Sequence, residues 1–190
     1  MKMKIGNFSL AIVLSLFLLS SCGGSKTTTT GNKFKEIIVP CTNEGRSNSD
    51  FFRASSVGKS RDLATSKEKA LLLTKQRLAS LVSSTLKSVT ERYVNDMQIG
   101  EETEFEQTFE NMTRDVVKQK LQDIAITCEK TGQNDKGEYE TYMAIEVKKD
   151  VIYNGVDKGI SKDKKLAAQY DRMKFKEKFD DEMNQLKDEQ

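Results

Sequence analysis

Histidine and tryptophan are absent from the 190-residue chain, proline occurs once and cysteine three times. The missing imidazole removes the side chain that titrates near neutral pH, and with it histidine acid/base catalysis and histidine metal ligation. Most hydrolase and metalloenzyme chemistries are thereby excluded. The missing indole takes away a stacking platform for a base, sugar or flavin. Charge of one sign is also lacking: 31 basic residues stand against 29 acidic ones, so the chain has no global pull on nucleic acid or anionic lipid. No apolar run reaches the roughly 18 residues that a spanning helix needs. What is present, 36% hydrophobic and 32% charged residues, suits a single core in a chain of this length.

The amino terminus reads as an export signal. A basic start with Lys2 and Lys4 leads into an apolar run from Phe8 to Leu19, broken only by Ser9 and Ser15; this is a secretory signal's length, too short to span a bilayer. It ends in Leu19, Ser20, Ser21 and Cys22, the pattern of a bacterial lipobox. A branched apolar residue and two small ones let a peptidase close around the backbone, and the cysteine sulfur takes a diacylglycerol. Residues 1–21 are therefore expected to be cleaved and Cys22 to carry lipid. The membrane is then a partner through acyl chains such as palmitate, each buried methylene contributing about 0.8 kcal/mol. Residues 22–33 are polar and small, which suits a flexible tether reaching roughly 17 to 20 Å. The expected location is the bacterial cell envelope, anchored by lipid at the outer membrane, and losing Lys2 and Lys4 leaves the mature charge balanced.

Phe34 to Cys41 places Ile37, Ile38 and Val39 before Pro40, which predicts a short edge strand. Thr42 to Asp50 is polar, a loop. Phe51 to Val57 alternates as a second strand and Gly58, Lys59 and Ser60 turn it. Leu71, Leu78, Val82, Leu86, Val89 and Tyr93 recur at helical spacing, so one long helix is expected from about Leu63 to Met97, with Thr65 and Glu68 as a capping box and Ser83 to Thr85 as its weakest turn. Gly100 breaks it, and Phe105, Phe109, Met112, Val116 and Leu121 form the face of a second helix over about Glu102 to Gln122. Ile124, Ile126 and Cys128 switch to strand periodicity, Gln133 to Gly137 turns, and Tyr139, Thr141, Met143, Ile145 and Val147 alternate again, a β-hairpin. Ser161 to Gln190 is dense in charge, with a sparse stripe of Leu166, Tyr170, Met173, Phe179, Met183 and Leu186 that slips in phase after Met173.

These elements resemble the bacterial family of twenty-kilodalton lipoproteins. The residues that carry the resemblance are Arg53-Ala54-Ser55-Ser56-Val57-Gly58-Lys59-Ser60, Ala64 through Lys69-Ala70-Leu71, Arg77-Leu78-Ala79 and the Tyr139 to Val147 strand, roughly Phe51 to Val151 in all. The family pattern is an R-A-x-G-x-G strand ahead of an alanine-spaced helix; here Ser56 stands at the first glycine, and Leu73 and Thr74 stand where a further alanine is usual. The resemblance implies an α+β fold similar to the amino-terminal domain of a flagellar T-ring protein and, more distantly, to dodecins. It implies an outer-membrane or surface lipoprotein with no transferable active site.

Gly58-Lys59-Ser60 looks like the end of a phosphate loop, but the motif needs glycine where Arg53 stands, so a strand-ending turn suffices. Asn134-Asp135-Lys136-Gly137 holds too few alternating acids for a calcium loop. Tyr139, Tyr142 and Tyr153 are read as core beneath helices rather than a stacking shelf. No catalytic, cofactor-binding or metal-binding residue is assigned. Between Lys59 and Arg92 lie eight basic and three acidic residues, and between Asn95 and Met112 six acidic and no basic ones; two antiparallel helices with complementary charged flanks account for both. Lipid on Cys22 leaves Cys41 and Cys128 as one pair in an oxidising compartment, where a disulfide is expected. The stripe from Leu166 to Leu186 is assigned to a protein partner or a second copy. The expected fold is α+β: a three- to four-stranded antiparallel sheet with two helices on one face over residues 34–155, and a charged helical extension over 156–190. The expected function is that of a non-enzymatic lipid-anchored envelope protein acting as a structural or assembly partner. The alternative is a small-ligand carrier, which a deep apolar cavity would mark.

Overall fold

Alternation in Phe51–Ser60 buries Phe52, Ala54, Ser56 and Gly58 on one side of a strand, β1. The computed structural model describes residues 36–97 and 102–188, so the leader, Cys22 and the tether lie outside the described residues. After β1 come α1 (Leu63–Met97), α2 (Glu102–Lys120), β2 (Ala125–Gln133), β3 (Tyr139–Lys148), α3 (Lys149–Lys162), α4 (Lys164–Ala168) and α5 (Arg172–Asp188). The sheet is antiparallel in the order β1-β3-β2, an α+β fold with helices packed on it. The central strand is the apolar one: Thr141, Met143, Ile145 and Val147 face the helices, in register with Gly58, Ser56, Ala54 and Phe52.

Helix α1 lies close to this face because small residues meet there. Ser66, Ala70 and Thr74 are fully buried, and a methyl group on Gly58 would sit 2.3 Å from the Ser66 carbonyl oxygen and 2.4 Å from the Ala70 nitrogen. Only glycine admits that approach. The Ser66 hydroxyl lies 3.0 Å from the Gly58 carbonyl oxygen and 2.8 Å from Thr141 Oγ1, tying helix to sheet. Gly58, Lys59 and Ser60 thus continue β1 instead of turning it. The helix begins on Asp62, whose carboxylate accepts from the Thr65 N–H at 2.7 Å; those bonds to Thr65 hold the Asp62 carboxyl below its ordinary value. The expected Thr65 cap is therefore displaced by three residues, since an aspartate is an equally good cap and reaches the N–H first. Ser84 and Thr85 do not end the helix, their hydroxyls donating back to the Leu81 carbonyl.

Two expectations are corrected. Residues 36–39 form no strand, and Ile37 and Ile38 are 76% and 93% exposed. The β1 edge they could have extended is occupied already: Asn48 Oδ1 accepts from the Phe51 N–H, the Ser47 hydroxyl from the Arg53 N–H, and Arg77 donates to the Ser55 carbonyl. Nor does a separate extension begin at residue 156, because α3 crosses that point and buries Ile152, Tyr153, Val156 and Ile160 in the same core.

The carboxy-terminal stripe is likewise core and not an exposed docking face. Asp163 starts α4 by accepting from the Lys165 and Leu166 N–H groups. Asp171 starts α5 by accepting from those of Met173 and Lys174. The break between them resets the helical phase. Leu166, Phe175, Phe179 and Met183 are then 1%, 1%, 2% and 4% exposed, Tyr170 and Leu186 are partly buried, and only Met173 of the stripe stands out, at 84%. Tyr93 fastens the break, donating to the Gln169 carbonyl at 2.9 Å and accepting from the Asp171 N–H at 2.7 Å. Its ring meets Phe175 edge-on at 5.5 Å, and Phe109 and Tyr153 complete an aromatic cluster around Phe175.

Candidate functional site

A concave groove runs between α1 and α2. Its wider half, about 520 Å³, is lined from α1 by Ser80, Ser83, Ser84, Lys87, Thr90 and Glu91, and from α2 by Glu106, Phe109, Glu110, Thr113 and Arg114. A second half, about 450 Å³, shares Ser83 and Arg114 and continues past Ala79 and Val117 to Lys75, Lys118 and Leu121. Rising numbers on α1 face falling numbers on α2, so the helices run antiparallel. Phe109 lies on the floor, its ring stacked on Phe105 at 6.2 Å.

The hydroxyls along this groove are unequal. Thr90 and Ser84 donate to carbonyls one turn back in α1, Leu86 and Leu81. Thr113 is 6% exposed, yet its Oγ1 has no hydrogen-bond partner. A buried hydroxyl without a partner costs about 1 to 3 kcal/mol.

The charges do not complement one another as expected. Ion pairs at the groove stay within a helix, Lys87 with Glu91 and Arg114 with Glu110. Among the described residues none joins α1 to α2. Lys75 and Lys118 share one end, while Glu91, Glu106 and Glu110 share the other with Lys87. The basic residues of α1 pair with other elements instead: Lys67 reaches Glu129 on β2, and Arg92 reaches Glu182 on α5.

On the sheet face away from the helices, Cys41 and Cys128 form a disulfide spanning 87 residues, beside buried Ala144 and half-buried Tyr142. Tyr142 is thus not beneath helices, whereas Tyr153 is. Arg53 reaches Glu146, and Lys59, Tyr142 and Asn134 converge on Glu140. Those hydrogen bonds, Lys59 first, hold the Glu140 carboxyl below its ordinary value. Lys59 is committed to that pair, and Asn134 Oδ1 accepts from the Lys136 and Glu138 N–H groups to close its own turn. Lys149, 3% exposed, is a buried cation that the sequence pattern did not single out. Its ammonium donates to the Met183 carbonyl at 3.3 Å over the Phe52 ring, and burial lowers its pKa.

No group of His, Cys, Asp or Glu among the described residues could hold a metal ion, and no described helix is long and apolar enough to cross a membrane. Comparison with protein-family models, curated proteins and solved structures finds no match to the chain.

Proposed function

We propose that this chain is a lipid-anchored, non-enzymatic protein of the bacterial cell envelope, akin to the twenty-kilodalton lipoproteins, whose α+β domain serves assembly. The observation that carries the reading is the Cys41–Cys128 disulfide. Structural disulfides belong to oxidising compartments, and this one consumes every cysteine except Cys22, which stands at the end of the lipobox. Sequence context and cross-link thus support the same export route.

The groove supports assembly over carriage. A carrier encloses most of a small ligand's surface, whereas this surface runs open from Lys75 to Glu91 of α1, about 24 Å of helix. That shape suits another protein surface. Feeding cells an alkyne-tagged fatty acid and replacing Cys22 by Ala tests the anchor: the wild-type chain should take the tag and sediment with membranes, and the variant should do neither. A variant that still sediments at mature size would overturn the lipid reading.

A further inference from the structure

We infer that the α1/α2 groove is the contact surface for a second copy of this chain, met across a two-fold axis near Ser83 and Arg114. The inference deepens the assembly reading of the groove and rests on it. Two features point to the same occupant. The groove is polarised along its length, with Lys75 and Lys118 at one end and Glu91, Glu106 and Glu110 at the other, and Arg114 and Ser83 are common to both halves. Each end carries an excess of one sign: at the acidic end Lys87 pairs with Glu91 and Arg114 with Glu110, while Lys75, Lys118 and Glu106 enter none of the ion pairs among the described residues.

A half-turn about the midpoint lays the cationic end of one copy over the acidic end of the other, twice, which is the self-complementarity an isologous interface needs. Around that midpoint the residues α1 presents to the groove are small, Ala79, Ser80, Ser83 and Ser84, so two helices can approach to the 8–10 Å of close packing.

The footprint sets the strength. About 24 Å of two neighbouring helices covers about 500 Å² per copy, at the low end of specific interfaces. Such a contact is weak in dilute solution and gains from confinement to a membrane, where tethering raises effective concentration.

Full-length protein in its native envelope carries the test. Ser83→Cys places a thiol at the axis, and mild oxidation should give a dimer-mass species at least tenfold more abundant than with Leu72→Cys, an exposed site outside the groove; the wild-type chain reports any link through Cys22. Adding Glu106→Lys with Glu110→Lys should cut the link at least tenfold, as should adding Lys75→Glu with Lys118→Glu. Co-expressing the two charge-reversed chains should restore it as a heterodimer, with melting temperatures unchanged throughout. The second-copy proposal is overturned if Ser83→Cys links no better than Leu72→Cys, if charge reversal leaves the link intact, or if the thiol joins a chain of a different mass. That last outcome spares the assembly reading, absence of any link removes both, and the fatty-acid label judges the anchor independently.

Discussion

Along the seam with α5, side chains of α1 are joined across the gap: Arg92 lies 3.1 Å from Glu182 and 2.8 Å from Gln185 Oε1, and Asp96 pairs with Lys178. Beneath them Tyr93 and Phe175 meet in the core. Along the seam with α2 the same helix presents serines, each ion pair closes within its own helix, and a buried threonine hydroxyl lacks a partner. Both neighbours contribute buried aromatic rings, so burial alone does not distinguish them. What differs is whether charged side chains pair across the seam, as Arg92 and Asp96 do with α5; a buried polar atom without a hydrogen-bond partner occurs on both sides, Thr113 Oγ1 and Glu182 Oε2. A closed seam belongs to the fold, and an open one leaves recognition chemistry unspent.

The largest break in this contrast should come from Phe175→Ala. It removes the ring that meets Tyr93, Phe109, Tyr153 and Tyr170, and a buried Phe→Ala costs about 3–5 kcal/mol. Urea unfolding should report a loss of that order; under about 1 kcal/mol would mean that α5 is not part of the cooperative unit.

Alkali should loosen the same seam. Burial raises the pKa values of the Tyr93 and Tyr170 phenols, and for Tyr170 the hydrogen bond to Asp157 adds to it. Unfolded tyrosine ionises near pH 10. Above that pH the folded chain holds the protons longer, so stability falls as pH rises. Lys149 works with the opposite sign, since burial lowers its pKa and stability rises with pH just below its ordinary 10.5. Urea midpoints measured from pH 8 to 11 should therefore turn downward above about pH 10, and Tyr93→Phe with Tyr170→Phe should flatten that descent. A descent equally steep in the double variant would assign it elsewhere.

Smaller effects separate the two seams at their surfaces. Arg92→Ala should cost about 1 kcal/mol, because the guanidinium bridges Glu182 and Gln185. Lys87→Ala, which removes only an exposed pair with Glu91 at 3.7 Å, should change stability by less than about 0.5 kcal/mol. Equal losses at both sites in urea unfolding would erase the distinction.

What could be read in the sequence follows from how local each signal is. The limits of α1 came from one uninterrupted recurrence of Leu71 through Tyr93, and the hairpin from two alternating runs around Asn134; neither needs a distant residue. The strand expected at Ile37 to Val39 failed because propensity cannot tell whether a sheet edge is vacant, and Ser47, Asn48 and Arg77 had taken it. The stripe from Leu166 to Leu186 does not lie on one helix. The local signals for this are the caps at Asp163 and Asp171, which reset the phase so that Phe175 falls in line with Phe179 and Met183. The groove had no such signal. Which charges of α1 and α2 meet depends on how each helix is rotated about its axis, and that is decided by packing on Gly58, Phe105 and Phe109 far along the chain.

The bond between Cys41 and Cys128 also sets a mechanical route. Any pull on the chain ahead of residue 41 passes through the cross-link into β2 and leaves the residues between the two cysteines, with β1, α1 and α2, outside the line of force. Those residues would contribute about 310 Å of contour if stretched, and the covalent bridge withholds it. A chain tethered at its amino end can therefore be tugged without extending the helices that line the groove, and reductant should release that hidden length in a single-molecule pulling trace.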